Sequence, residues 1–201
     1  MGRLVVTEFI SLDGVFDDPG GSEGTKNGGW TFTFDRGDDG DRFKLDELLA
    51  ADAQLLGRVT YDGFAAAWPK IQDEVGFADK MNSMPKYVVS STLREATWNN
   101  TTVIRGNVSE EVSALKRRHS GDLLIAGSGT LVRGLMASRL IDELRLMVFP
   151  IVLGEGRQLF GPATATTRMT LVESKPVGRD GVMVMTYALA DKAAAGSTSS
   201  A

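Results

Sequence analysis

Hydrophobic positions in this chain alternate between the two periods of strands and helices, and breaks in the pattern mark the element ends. Leu4, Val5, Val6, Phe9 and Ile10 form an opening apolar run that Asp13-Gly14 stops, which predicts a strand over 4–10. Periodicity then lapses across 15–41, where Gly and Asp dominate and Trp30, Phe32 and Phe34 alternate. So long a loop with aromatics in it predicts a flap packed against something rather than a linker. Phe43, Leu45, Leu48 and Leu49 restore helical spacing over about 41–50. A buried strand at 53–56 runs into Gly57-Arg58, and Thr60 is placed to cap a helix carrying Tyr61, Phe64 and Trp68 that stops before Pro69.

Further along, 86–91 reads as a strand entering a polar turn, and Val103-Ile104 as a short strand. Asn107 and Glu110 have capping-box spacing for a helix to His119, with Gly121 where a C-cap belongs. Leu123, Leu124 and Ile125 lead into Gly127-Ser128-Gly129-Thr130, then into a helix with Leu131, Val132, Leu135 and Met136 on one face. A strand over 143–148 continues irregularly through Pro150, and 169–175 and 182–189 alternate around a turn at 178–181, as a hairpin does. Strands alternating with helices and closed by a hairpin predict an α/β fold: a mainly parallel central sheet with an antiparallel C-terminal edge hairpin. Residues 1–190 read as one domain, and the small polar residues of 191–201 as a disordered tail.

Composition narrows the chemistry. A net charge of −4 gives no general attraction to nucleic acid or anionic lipid. The absence of cysteine excludes disulfides, thiol nucleophiles and thiolate metal sites. No run approaches the roughly 18 apolar residues of a membrane span, and a cytoplasmic location is expected. The lone His119 follows Lys116-Arg117-Arg118 at a helix end, where cations complement the dipole, so neither Ser-His chemistry nor zinc catalysis has a candidate. The stretch 35–46 half-mimics a calcium loop, but position 3 is Gly37 and the bidentate Glu is missing.

Two strand–turn–helix units carry phosphate-type donors. In Gly127–Leu131 the glycines allow backbone to approach an anion, and the helix end attracts it. In Gly57-Arg58-Val59-Thr60 a guanidinium fork and a hydroxyl stand at a helix start. The plain alternative for the second is a glycine turn with a solvated arginine and a structural cap. Ser90-Ser91 offers a third set of hydroxyls after a strand, or simply a turn. Three such strand ends fit a dinucleotide across the carboxyl edge of a parallel sheet. Neither a G-x-G-x-x-G fingerprint nor a Walker lysine is present.

These segments resemble a known family. GRVTYDGF and AGSGTL resemble the dihydrofolate reductase superfamily. SLDG (11–14), LLGRVTY (55–61), AGSGTL (126–131) and DELRLMVFPIVLGEGRQLF (142–160) together resemble the reductase domain of riboflavin biosynthesis, the C-terminal half of the bifunctional deaminase–reductase. GGW and FAAAWP are similar to its stand-alone relatives. The resemblance spans about 3–189. It implies a three-layer dihydrofolate reductase-like fold and an NADPH-dependent reductase acting on a small heteroaromatic or imine-like substrate. Gly57, Arg58 and Thr60 would lie on the phosphates, Ser90 and Ser91 near the 2′-phosphate, and Gly127, Ser128, Gly129, Thr130 and Leu131 on the pyrophosphate. The nicotinamide would sit near the first strand and Pro150, facing a substrate under the 15–34 loop. A homodimer is implied too, for which 142–153 offers a long apolar strand. The chain departs from the riboflavin pattern at Ala126, where those reductases carry a glutamate near the substrate.

The remaining candidates concern substrate and proton. Asp13 either faces the pocket as the proton donor, with water as the other source, or makes an Asx-turn with Gly14. Trp30, Phe64 and Trp68 are an apolar wall for a planar substrate, or core. Asp39 and Asp41 lie near the place where a pterin-holding carboxylate would stand, or are solvated. The alternatives to a riboflavin-type reductase are a dihydrofolate or pterin reductase and a non-catalytic NADPH-binding protein.

Overall fold

The first apolar run becomes β1 (Leu4–Ser11), buried along almost its whole length and flanked on both sides by parallel neighbours, as such a run requires. A computed structural model describes residues 1–161 and 164–189, so the predicted tail at 191–201 lies outside the described residues. After β1 come α1 (Gly37–Ala50), β2 (Ala51–Gly57), α2 (Arg58–Ala67), α3 (Phe77–Ser83), β3 (Lys86–Val89) and β4 (Thr101–Ile104). The second half adds α4 (Val108–Arg118), β5 (Asp122–Ala126), α5 (Gly129–Ala137), β6 (Glu143–Phe149), β7 (Met169–Val177) and β8 (Val182–Leu189). The strands form one sheet in the order β4-β3-β2-β5-β1-β6-β8-β7. Pairing is parallel from β4 to β6 and antiparallel across β6–β8 and β8–β7.

Alternation along β1 feeds two cores. Leu4, Val6 and Ile10 pack with Val112 and Leu115 of α4 and Val132 and Leu135 of α5. Val5, from the opposite face, joins Leu48 of α1, Tyr61 of α2 and Met81 of α3. Helices thus cover both faces, giving three layers. Among the described residues no helix is long and apolar enough to cross a membrane.

Several element ends differ from the sequence reading. α1 begins at Gly37, earlier than expected, with Asp38 and Asp39 in its first turn complementing the positive helix end. α2 already starts at Arg58 with Gly57 as N-cap, so Thr60 lies inside the first turn and is not the cap. Gly121 is no C-cap, because α4 closes on an extended His119. A side chain at Gly121 would instead meet the Asp52 carboxylate, which accepts its N–H at 2.7 Å. Unforeseen α3 has Gly76 at its N-cap, and the carboxylate of Asp73 accepts from the Phe77 and Ala78 N–H groups of its first turn. Finally, β6 sits between β1 and β8 with Leu144 and Phe149 fully buried, so the strand itself is covered by its own chain, while Val152 just beyond it is exposed.

Candidate functional site

The site arises where two parallel strands part. β5 pairs with β1 only as far as Thr7↔Ala126, whereas β1 continues beside β6 to Ser11↔Phe149. A crevice at the carboxyl ends of parallel strands follows, the usual ligand position in such sheets. It is a cleft of about 1020 Å³, lined among others by Thr7 and Glu8 of β1, Lys44 and Glu47 of α1, the 57–60 turn and the 126–131 turn. That volume suits a ligand of cofactor size.

The two turns are clasped together. Gly127 (φ 61°) and Ser128 (φ 64°) are both left-handed, which swings the Ser128 hydroxyl across to the other turn. There it accepts the Gly57 N–H at 2.8 Å and donates to Thr60 Oγ1 at 3.0 Å. The approach is close enough to demand glycine: a Cβ on Gly127 would lie 2.6 Å from Thr60 Oγ1, and one on Gly57 would lie 2.9 Å from Ser128 Oγ. Neither α2 nor α5 has a side-chain cap, so the N–H groups of both first turns are left for a ligand or solvent. Two positive helix ends thus converge on one crevice, and the donor set fits a diphosphate. Ser128 itself is a strut, because its hydroxyl is engaged on both sides.

Other predicted residues fall in and out of this site. Arg58 lines the cleft but folds back onto Asp62, one helical turn on, in an exposed pair at 2.6 Å. Phe64 and Trp68 line it too, edge to face at 6.3 Å, with Trp68 stacked on Phe77 at 5.3 Å. Ser90 and Ser91 are not in its lining; the Ser90 hydroxyl accepts the Thr92 and Leu93 N–H groups in a turn after β3. Trp30 is buried outside the cleft, edge-on to Phe149 at 5.3 Å with its Nε1 donating to the Asp17 carbonyl. Pro150 is exposed and also outside the lining.

Asp13 needs the largest correction. Its carboxylate accepts from the Ser11 hydroxyl at 2.6 Å and from the Leu153 and Gly154 N–H groups at 3.1 and 2.8 Å. The Ser11 hydrogen bond and these N–H groups pull the carboxyl down to about 2. It is charged near neutrality, lies outside the cleft lining and ties two loops together. Asp39 likewise accepts the Gly178 N–H at 3.0 Å, and Asp41 pairs with Arg36 at the surface.

Asp41 lines the cleft at its exposed rim, whereas two buried acids inside it are ones that the sequence alone did not single out. Glu47 of α1 accepts the Thr7 hydroxyl at 2.6 Å and the Lys44 ammonium, with Arg145 of β6 3.9 Å from its other oxygen. Glu8 follows directly after the last β1–β5 pair, is 5% exposed, and has one carboxyl oxygen with no hydrogen-bond partner. Burial pushes its carboxyl up to about 8, and the nearby charge of Glu47 adds to the rise; a Gly127 backbone hydrogen bond and Lys44 oppose it. An acidic residue on the same strand face as Val6 and Ile10 was the available signal.

The chain matches the family model described as the RibD C-terminal domain over residues 3–183. It belongs to that family. It is 29% identical to the uncharacterised protein YyaP of Bacillus subtilis (strain 168), covering 92% of this chain and 94% of that one. A candidate riboflavin biosynthesis protein from Shewanella sp. PV-4 superposes with a TM-score of 0.73 at 22% identity, over 93% and 98% of the two chains. The dihydrofolate reductase of Enterococcus faecalis, solved with NADP(H), superposes at 0.55 and 17% identity, over 94% and 97%. The fold is therefore dihydrofolate reductase-like. Within this RibD-type domain Ala126 pairs with Thr7 in register, and the carboxyl at that corner comes from Glu8 on the neighbouring strand.

Proposed function

We propose that this RibD-type domain is an NADPH-dependent reductase of the riboflavin-biosynthesis type, working on a small heteroaromatic or imine-like substrate as a cytoplasmic homodimer. The observation that carries the reading is the clasp: Ser128 bridges two glycine turns so that two uncapped helix ends meet at one crevice. In this reading the first-turn N–H groups of α5 hold the pyrophosphate. Thr60 and Arg58 take phosphate oxygens, the guanidinium leaving its weak exposed pair with Asp62 to do so. Ser90 and Ser91 serve the 2′-phosphate from outside the cleft lining. The bound nicotinamide would supply the hydride. The chain's own tasks are to orient the two reactants and to exclude water, for which Phe64 and Trp68 provide apolar wall.

Titration with NADPH and NADH, followed by fluorescence, tests this. Saturable NADPH binding is expected, weakened at least ~10-fold by Arg58→Ala, since a charge-assisted phosphate contact is worth about 1.5–3 kcal/mol. No binding of either nucleotide removes the reading. A pterin reductase is the second reading, favoured by Glu47, a buried carboxylate of α1 that lines the cleft. Turnover of dihydrofolate that Glu47→Gln abolishes would select it.

A further inference from the structure

A reduction consumes a proton as well as a hydride, and the described lining of the cleft offers carboxyl groups as the titratable acids. It contains no histidine or tyrosine, and the chain has no cysteine. His119 lies elsewhere, against Tyr87 and Asp52. Asp18 is occupied by the N–H groups of Glu23 and Thr25, and Asp73 by those of α3; Glu23 pairs with Arg157 and Asp41 with Arg36, and Asp38 is exposed to solvent. Glu47 is engaged by Lys44 and Thr7. Glu8 and Glu47 each keep a buried carboxyl oxygen without a hydrogen-bond partner, but among the described residues Glu8 alone of the two forms no ion pair, and it is buried at the point where β1 and β5 separate, beside the Gly127 turn.

We infer that Glu8 is the general acid of this site, its carboxyl giving the proton to the nitrogen of a substrate C=N bond while the adjoining carbon takes the hydride. The inference rests on the reductase reading. The O–H bond of the carboxyl breaks and an N–H bond forms. The C=N double bond gains two electrons and a hydrogen from NADPH, which leaves as NADP⁺, and the Glu8 carboxylate is reprotonated by water entering the cleft. A C=N acceptor is the matching class, because hydride addition leaves a strongly basic nitrogen that a neutral carboxyl can protonate.

The surroundings keep this acid protonated at neutral pH. Burial penalises its charge and holds it at about 8. From α1, Lys44 favours the carboxylate and Glu47 the acid; from the β5–α5 turn the Gly127 backbone favours the carboxylate. Arg145 of β6 lies 3.9 Å from Glu47, the group through which it bears on Glu8.

The test uses the full chain. NADPH binding to the wild type comes first, and its absence removes the reductase reading rather than the acid. Carboxyl NMR of glutamate-labelled protein is then followed with pH, with Glu8→Gln identifying the resonance. A midpoint near 8 is expected; an ordinary midpoint below 5 overturns the inference. NADPH oxidation is measured with two probes, dihydrofolate and 5-amino-6-(5-phosphoribosylamino)uracil, whose ring-opened form is an imine. The wild-type kcat should fall tenfold per pH unit above 8. Glu8→Gln should lose about 100-fold in kcat, a typical general-acid contribution, with KM and NADPH affinity within twofold, and Glu8→Asp should recover part. A Gln variant that keeps the rate, or keeps the alkaline limb, overturns the assignment. If an NADPH-binding wild type reduces neither probe, the C=N class is overturned. Should Glu8→Gln fail to bind NADPH, the Glu8→Asp profile decides, its alkaline limb being expected to move with the shorter acid.

Discussion

One buried carboxyl makes this protein less stable as pH rises. Glu8 titrates near 4.5 in an unfolded chain and near 8 in the folded one, so between those values only the folded state holds the proton. The contribution of Glu8 is therefore greatest below 4.5, falls through the window and is flat above 8. Thermal scans should show Glu8→Gln gaining on the wild type from pH 5 to pH 8.5; a constant gap would mean that Glu8 carries no such linkage. Asp13 has the opposite sign. Its carboxylate is held at about 2, so its contribution is full above the ordinary 3.8 and lost only as pH falls through 2. The two residues also show what the sequence could disclose. Asp13 beside Gly14 read equally as an Asx-turn or a pocket acid, and only the distant Leu153 and Gly154 decide it. Glu8 looked like one polar residue in a strand, because its burial depends on partners more than 100 residues away.

At the scale of elements, the clasp is the feature to break. Ser128→Ala removes the acceptor of the Gly57 N–H and the donor to Thr60. Each such hydrogen bond is worth about 0.5–1.5 kcal/mol, so chemical denaturation should show a loss of about 1–3 kcal/mol. NADPH affinity should fall with it, because the two helix ends lose their common register; unchanged affinity would mean that the cradles act independently. Both strand–glycine–helix units were legible in advance, since each is local: an apolar run, a turn residue, a helical face. Their union was not, because the serine and its partners are separated by 68 and 71 residues. The same limit explains α3, a short helix whose first-turn N–H groups are taken by Asp73 from a polar stretch that resembles ordinary loop.

For the whole molecule, the alternation of strands and helices was enough to foretell a mainly parallel sheet with an antiparallel hairpin at its edge. Strand order was not foretold, and with it the interior position of β6. The outer strand β7 leaves Leu171 and Val172 exposed, yet carries Lys175, Pro176 and a register shift between Leu171 and Glu173, features that discourage open-ended strand addition. For the proposed homodimer, light scattering at micromolar concentration should give about twice the 21.6 kDa of one chain; a monomer mass would remove it.

The place of β1 also bears on how the molecule comes into being. Its two ladder neighbours, β5 and β6, begin at Asp122 and Glu143, so β1 leaves the ribosome more than 100 residues before either of its edges can be paired. Until then an apolar strand stands open to mispairing on both sides. Glu8 remains in water over that interval, ionised at neutral pH, and it must take up a proton as β5 and the Gly127 turn close over it. Assembly of the crevice and protonation of its acid are then one event.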